Sequence, residues 1–578
     1  MAKKQNRSAK GNGNGRVLNS QQSVNSAVKS ICDIMRRSNC AGAMQYVPEL
    51  TWILFLRILD ERETREIEAA EAVGADFTPS IEAPYRWQDW AAPDSQRREK
   101  MLTKGKVLEF VNGELLPHLK GLRERPNSTP RQKVISEIMS GIERVRIDTQ
   151  KNLCDVCDKV HGLSADTVDD THVFTLSQVY EGLLLKMGEK GNDGGQFFTP
   201  REIIRAVVRV VVPQIGETVY DPGSGTGGFL AESFGFMAGK NNANIETPDQ
   251  LDQLRHDTFY GREKENLIYP IALANLVLHG IDQPNIWHGN TLTGGVSYDG
   301  LYSSAPDQFD VVMTNPPFGG KEGKEAQTRF AFKTSATQVL FLQHVIDSLK
   351  PTGRCGMVLD EGVLFRANEA AFVQTKRKLM DECNLHCIVS LPGGVFTAAG
   401  AGVKTNLLFF NKGKPTEKIW YYDLSDVKVG KRQPFTIDKF DDFFRLLPKR
   451  AESERSWTVD FSKRKKQATL EAEPFKRQAQ AKQQEANRWK EELAELKKAK
   501  PAKQAKIDEA DRRIAELTKE ARELVNRAQN IEDTVYDLKA VNPNKQSTED
   551  TRTPAELLDI IEQKGREVAE ALATLRAL

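Results

Sequence analysis

From Phe198 to about Lys412 the chain alternates two textures. Short β-rich runs, VVPQIGETVYD, HDTFYGRE, FDVVMTNPP, GRCGMVLD, HCIVSLP and TNLLFF, are separated by segments in which apolar residues return every three or four positions. Strands that alternate with helices predict an α/β fold: a mostly parallel sheet covered on both faces. Ligands of such sheets sit at the carboxyl ends of the strands, so what ends each strand decides what the chain can bind.

Two further regions are helical in pattern. Residues from about 21 to 185 keep a 3.6-residue period, as in AVKSICDIMRR and LTWILFLRILDERETREIEAAEA. Beyond about residue 465, Ile507, Ala510, Ile514, Leu517, Ala521, Leu524, Ala528 and Ile531 follow a heptad, and Ala486, Trp489, Leu493 and Leu496 do the same before Pro501, which is expected to turn one helix back on the other. After the linker VNPNKQSTED, Thr553, Pro554 and Glu556 announce a last helix whose stripe of Leu557, Leu558, Ile561, Val568, Leu572 and Leu575 either packs on this chain or docks on a partner. With 578 residues, too many for one core, the chain divides into a disordered basic tail (1–20), a helical N-terminal domain (21–170), the α/β domain (171–460) and a helical coiled-coil tail (461–578).

Composition limits the partners. Lys and Arg number 82 against 80 Asp and Glu, a net charge of +2, so nucleic-acid binding must come from local patches or from a partner. The basic stretch KRAESERSWTVDFSKRKK, near 449–466, is either such a patch or a solvated surface. Seven scattered cysteines fit a reducing compartment without structural disulfides. Cys154 and Cys157, with His161 nearby, lack a second ligand pair at a matching spacing, so they read as helix-packing residues and no metal is expected. The start, MAKKQNRSAKGNGNGR, has no apolar segment of the kind a secretory signal needs, and TWILFLRIL (Thr51–Leu59) is too short for a membrane span and is interrupted by Arg57. A cytoplasmic protein without membrane contact is expected.

The strand ends carry the chemistry. ETVYD ends in DPGSGTGGFLAES, where Gly223, Gly225 and Gly227, set among Asp221, Ser224 and Thr226, permit a tight turn and close backbone approach to a ligand at a helix N-terminus. The spacing is GxGxG and no GxxxxGK[ST] occurs, so neither a dinucleotide fingerprint nor a triphosphate loop is supported. HDTFYGRE ends in Glu263, placed to accept hydrogen bonds from both hydroxyls of a ribose, and NNANIETPDQLDQLR reads as an insertion before it. IWHGNTL brings Asn290 to the same edge.

FDVVMTNPPF ends in two prolines, which stop a strand and hold their neighbours rigid. An exocyclic aromatic amine is a poor nucleophile because its lone pair is delocalised into the ring. Two acceptors, the Asn315 side-chain carbonyl and the Pro316 backbone carbonyl, would favour a pyramidal nitrogen and accommodate its developing charge. Pro316 and Pro317 keep the acceptors in place, and Phe318 offers a face on which a flipped base can stack. With a sulfonium methyl donor in line, positioning supplies most of the catalysis.

DPGSGTGGF, YGRE and NPPF together resemble the motifs of S-adenosylmethionine-dependent methyltransferases acting on adenine N6. GGQFFTPREI resembles the motif that precedes their cofactor loop; the resemblance implies Phe197, Phe198 and Thr199 beside the methionine moiety, with Gln196, Pro200 and Arg201 in the same cofactor-binding block. TWILFLRILD, ANLVLHGI, LFLQHVIDSLKPTGRCGMVLDEGVLF and LPGGVFTAAGAGVKTNLLFF extend the likeness to the modification subunits of type I restriction-modification systems, over roughly residues 20–415. That family implies a Rossmann-like methyltransferase domain at 171–460 and C-terminal helices that dock on a separate DNA-specificity subunit. Double-stranded DNA, a second copy of the chain and a restriction or translocase subunit are the further partners it implies. Asn290 departs from the family pattern, since many relatives carry an acid there against the cofactor adenine.

An RNA or protein amide methyltransferase and a stand-alone DNA adenine methyltransferase are the alternatives; GQFFTP and helical domains on both sides favour DNA as substrate. A cytosine C5 enzyme needs a Pro-Cys nucleophile, which is absent.

Overall fold

The computed structural model describes residues 21–38, 40, 43–162, 199–294, 305–396, 403–430, 433–498, 504–539, 541–544, 558–559 and 561–567. Gln196, Phe197, Phe198, Pro501, the tail 1–20 and the start of the last helix at Thr553 to Glu556 lie outside the described residues.

The strands are β1 (Val219–Asp221), β2 (Phe259–Glu263), β3 (Asn285–His288), β4 (Phe309–Thr314), β5 (Leu349–Asp360), β6 (Cys383–Ser390), β7 (Thr405–Lys412), β8 (Lys418–Asp423) and β9 (Ser456–Asp460). They form one sheet in the order β3-β2-β1-β4-β5-β7-β6-β8-β9. Pairing from β3 to β5 is parallel; β7 runs antiparallel to both its neighbours, and β9 to β8. The chain steps outward from β1 to β3 and returns to the other side of β1 as β4. That reversal opens a crevice between the carboxyl ends of β1 and β4. β4 ends at Thr314, paired with Met357, because Pro316 and Pro317 have no N–H to continue the ladder.

Both faces of the sheet are covered. On one face, helices Arg201–Val211, Gly228–Ala238 and Ile268–Leu278 share a continuous core with the helical N-terminal region. On the other pack Thr337–Ser348, Ala370–Glu382 and the beginning of Phe461–Lys498. The TWILFLRIL run lies inside helix Ala43–Ala72 with Trp52 to Leu56 buried, and Trp52 stacks on Trp90 at 6.5 Å, so this is a core helix. No described helix is long and apolar enough to cross a membrane. Cys154 and Cys157 are buried in helix Gln150–His161, and the His161 ring accepts a hydrogen bond from the Trp87 indole at 3.1 Å. Asp282, in the turn after Ile268–Leu278, ties the sheet to the helical region: Arg62 and Arg131 each reach it at 2.9 Å and hold its carboxyl below the usual range.

Helix Phe461–Lys498 begins as soon as β9 ends, and Gln504–Thr534 packs along it. Lys476 pairs with Glu532, Lys482 with Glu520, Glu485 with Arg513 and Lys497 with Asp511, so the two run antiparallel. The seam joins Ala468, Ala472, Ala479 and Ala486 to Ile507, Ala510, Leu517, Ala521 and Ala528. It therefore starts before the heptad read from Ala486. Val535, Tyr536 and Leu538 return to the α/β core: Tyr536 meets Phe461 edge to face at 5.8 Å, and the Leu538 N–H donates to Leu364 at 3.1 Å. In the basic stretch, Ser456–Asp460 is strand β9, Arg455 pairs with Asp426, and Lys465 pairs with Asp381.

Candidate active site

The turn after β1 is shaped by its glycines. The buried Asp221 carboxylate accepts the Gly223 N–H at 3.0 Å, and the Ser224 hydroxyl donates to the Asp221 carbonyl at the same distance. The Ser224 N–H reaches the Arg262 carbonyl at 2.9 Å and ties the turn to β2. Gly225 and Gly227 have φ of 50° and 79°, in the left-handed region that favours glycine. A Cβ on Gly227 would lie 3.0 Å from Leu276, and one on Gly228 would lie 2.6 Å from Ile204. Helix Ile268–Leu278 also supplies Asn275, whose amide donates to the Thr226 carbonyl at 2.8 Å. That role is not visible in ANLVLHGI.

Glu263 closes β2, is 7% exposed, and accepts the Glu265 N–H at 2.8 Å. Burial pushes its carboxyl up from 4.5 to about 7, and the Asp221 carboxyl up from 3.8 to about 7. Asn290 follows β3, and its side-chain carbonyl accepts the Leu292 N–H at 2.8 Å, so it also caps its own turn. Asn315 follows β4. Its amide nitrogen donates to the Thr199 hydroxyl at 3.0 Å, and its Oδ1 is buried with no partner among the described residues. An orphaned buried acceptor costs on the order of 1–3 kcal/mol unless a ligand meets it.

These side chains surround one cavity of about 280 Å³, lined by Thr199, Asp221, Gly223, Ser224, Gly225, Thr226, Glu263, Asn290, Asn315 and Pro317, together with Arg262, Lys321, Thr337, Phe341 and others. The sheet reversal places the glycine turn and Asn315 on neighbouring strands, and β2 and β3 bring Glu263 and Asn290 to the same side. A cradle of tight glycines, a buried carboxylate and a free carbonyl acceptor suit a nucleoside ligand beside a second polar group.

The sequence profile of the N-6 DNA Methylase family matches residues 171–492, and that of the HsdM N-terminal domain matches residues 24–160. The EcoEI methylase subunit of a type I restriction enzyme from Escherichia coli is 36% identical over 459 residues, 76% of this chain and 87% of that one. The chain belongs to the type I N-6 DNA methylase subunits. The EcoKI methylase subunit of Escherichia coli K12 is 31% identical, covering 74% of this methylase subunit and 78% of its own length. Among solved structures, a modification subunit assigned to a type I restriction enzyme of Vibrio vulnificus YJ016 matches with a TM-score of 0.67 at 32% identity, over 77% of this chain and 93% of that one. A chain from a study of complex assembly and conformational transition in a type I system matches with a TM-score of 0.60 at 33% identity, over 96% and 98%.

Several expected residues stand beside the methylase subunit's cavity rather than on its wall. Gly227 starts the following helix, and Pro200 precedes helix Arg201–Val211. Pro316 is buried with its carbonyl accepting from Gln338 at 3.3 Å, a contact that sequence reasoning did not supply. Phe318 is half-buried and meets Phe396 edge to face at 5.4 Å.

Proposed function

We propose that this methylase subunit transfers a methyl group from S-adenosylmethionine to N6 of a flipped adenine in DNA, with Asn315 and Pro316 receiving the amine. The observation that carries this reading is the buried Oδ1 of Asn315, without a partner among the described residues while Thr199 holds the other end of the amide. S-adenosylmethionine, when bound, supplies an electrophilic methyl on a sulfonium.

The chain's own residues do the rest. The turn from Gly223 to Gly227 offers backbone close enough to grip the nucleoside part, and Glu263 accepts the ribose hydroxyls, which compensates its carboxylate for burial. Asp221, Ser224 and Thr226 hold the turn in shape, and Asn290 borders the space for the adenine of the cofactor. Of the cofactor-binding block proposed from Gln196 to Arg201, Thr199 lines the cavity. Asn315 and Pro316 draw the N–H groups of the amine out of the ring plane, so its lone pair is freed, and Phe318 stacks on the base. Neither acceptor is a base, so the proton leaves to water after transfer.

In this reading residues 171–460 do the chemistry, and the helical parts, 21–170 and 461–578, position DNA and dock other subunits. A separate specificity subunit chooses the site, a second copy of this chain completes the modifying complex, and a restriction subunit is a further partner. The relatives' identity as type I methylase subunits supports this. Sequencing of genomic adenine methylation with and without Asn315→Ala tests it: loss of methylation at a fixed motif is expected, and an unchanged pattern would refute the assignment.

A further inference from the structure

Gln338 sits in the first turn of helix Thr337–Ser348, is 3% exposed, and touches two elements at once. Its Nε2 donates to the Pro316 carbonyl at 3.3 Å, and its Oε1 accepts the backbone N–H of Asp360 at 3.0 Å. Asp360 ends β5 and caps helix Glu361–Phe365 through its own carboxylate, so its N–H is a fixed point. A backbone N–H can only donate, and Oε1 is the only acceptor of the Gln338 amide. The orientation is therefore forced, and the other end of the amide must present N–H to Pro316.

The tether answers a specific weakness of the NPPF segment. Pro316 and Pro317 have no N–H, and β4 pairing ends at Thr314, so the carbonyl is the only backbone polar group by which Pro316 can be held. Gly319, at φ 67°, and Gly320 follow without side chains to anchor the turn. A carbonyl oxygen has two lone pairs; Gln338 occupies one and leaves the other.

We infer that Gln338 is a positioning residue for methyl transfer, aiming the free lone pair of the Pro316 carbonyl at the target amine as Thr199 aims the Asn315 carbonyl. The inference rests on the reading of Asn315 and Pro316 given above. Each acceptor then has its own tether from outside the motif, one preceding helix Arg201–Val211 and one on helix Thr337–Ser348. Gln338 does not line the cavity, so its removal should spare cofactor affinity.

The test uses the full-length chain in its assembled complex, with Asn315→Ala, Gln338→Met and Gln338→Glu compared with wild type in single-turnover methyl transfer and in S-adenosylmethionine binding by calorimetry. Gln338→Met should transfer methyl about tenfold to a hundredfold more slowly while binding the cofactor as wild type does, as expected of a misaimed group. Gln338→Glu keeps an acceptor for Asp360 but turns a carboxylate toward the Pro316 carbonyl. Burial should push its carboxyl up from the ordinary range, so it repels as an anion and donates once protonated, and its rate relative to wild type should rise about tenfold between pH 8.5 and 6. That recovery within one folded protein is something a packing role would not produce. Wild-type rates in Gln338→Met, a flat pH ratio in Gln338→Glu, or loss of cofactor binding together with rate would each overturn the inference while Asn315→Ala stays strongly impaired. Methyl transfer by Asn315→Ala at the wild-type rate would instead overturn the reading on which it rests.

Discussion

The crevice at the carboxyl ends of β1, β2 and β4 and the hairpin of Phe461–Lys498 with Gln504–Thr534 treat polar groups in opposite ways. In the crevice the Asn315 Oδ1 has no partner among the described residues, and burial pushes the carboxyls of Asp221 and Glu263 up to about 7. In the hairpin, alanine and leucine meet along the seam while charges such as Lys482 and Glu520 pair at its exposed rim. A region built for stability satisfies its groups internally; one built for a ligand leaves some unsatisfied until the ligand arrives. Substitutions should therefore separate chemistry from folding in the first region and leave cofactor binding untouched in the second.

The largest separation is expected from Asn315→Ala, which should lower the methyl-transfer rate constant by about 10²- to 10³-fold, as loss of a single charge-stabilising contact does, with thermal stability kept or raised because the orphaned acceptor goes. Gly227→Ala forces a Cβ into the left-handed region and against Leu276; a strain of roughly 1–3 kcal/mol should weaken cofactor binding by about tenfold to a hundredfold in calorimetry. Leu517→Ala, in the hairpin seam, should cost about 2–3 kcal/mol of hairpin stability, seen as faster proteolysis between 470 and 530, with cofactor affinity unchanged.

pH gives a smaller and continuous effect. Glu263 must be ionised to accept two ribose hydroxyls, so cofactor affinity should fall as pH drops from 8 to 6, and binding near pH 7 should release protons, measurable from the buffer dependence of the calorimetric heat. Without ligand the sign is reversed. The folded state holds these protons more tightly than the unfolded chain, so the stability contributed by Asp221 and Glu263 is complete below their ordinary values of 3.8 and 4.5. It is lost as pH rises to about 7. Thermal midpoints should then show cofactor stabilising the chain more at pH 8 than at pH 6. The smallest effect belongs to Lys482→Ala, which should leave the midpoint unmoved because its exposed pair is screened by solvent.

The α/β alternation and the crevice were legible in the sequence where residue types are tied to local physics. Gly225 and Gly227 occupy backbone that other residues resist, Glu263 is an acid ending an apolar strand, and Pro316 and Pro317 mark where a ladder must stop. The antiparallel β7 was hidden because TNLLFF, buried on both faces, reads the same in either direction. The strand SWTVD was masked by its charged neighbours, and the seam before Ala486 by the weak apolar signal of alanine. Asn275 and Gln338 were missed for a different reason. A polar residue within an apolar helix looks the same whether it meets water or a carbonyl distant in sequence, and only the sheet order decides which.

The closeness of Phe461 and Tyr536 gives the hairpin a mechanical meaning. With 38 residues in its first helix it forms an arm about 57 Å long, yet the chain leaves and re-enters the core at essentially one point. Matched lengths can thus be removed from both limbs without moving either root. A load on its far end becomes torque at a pivot beside Leu364, in the short helix capped by Asp360.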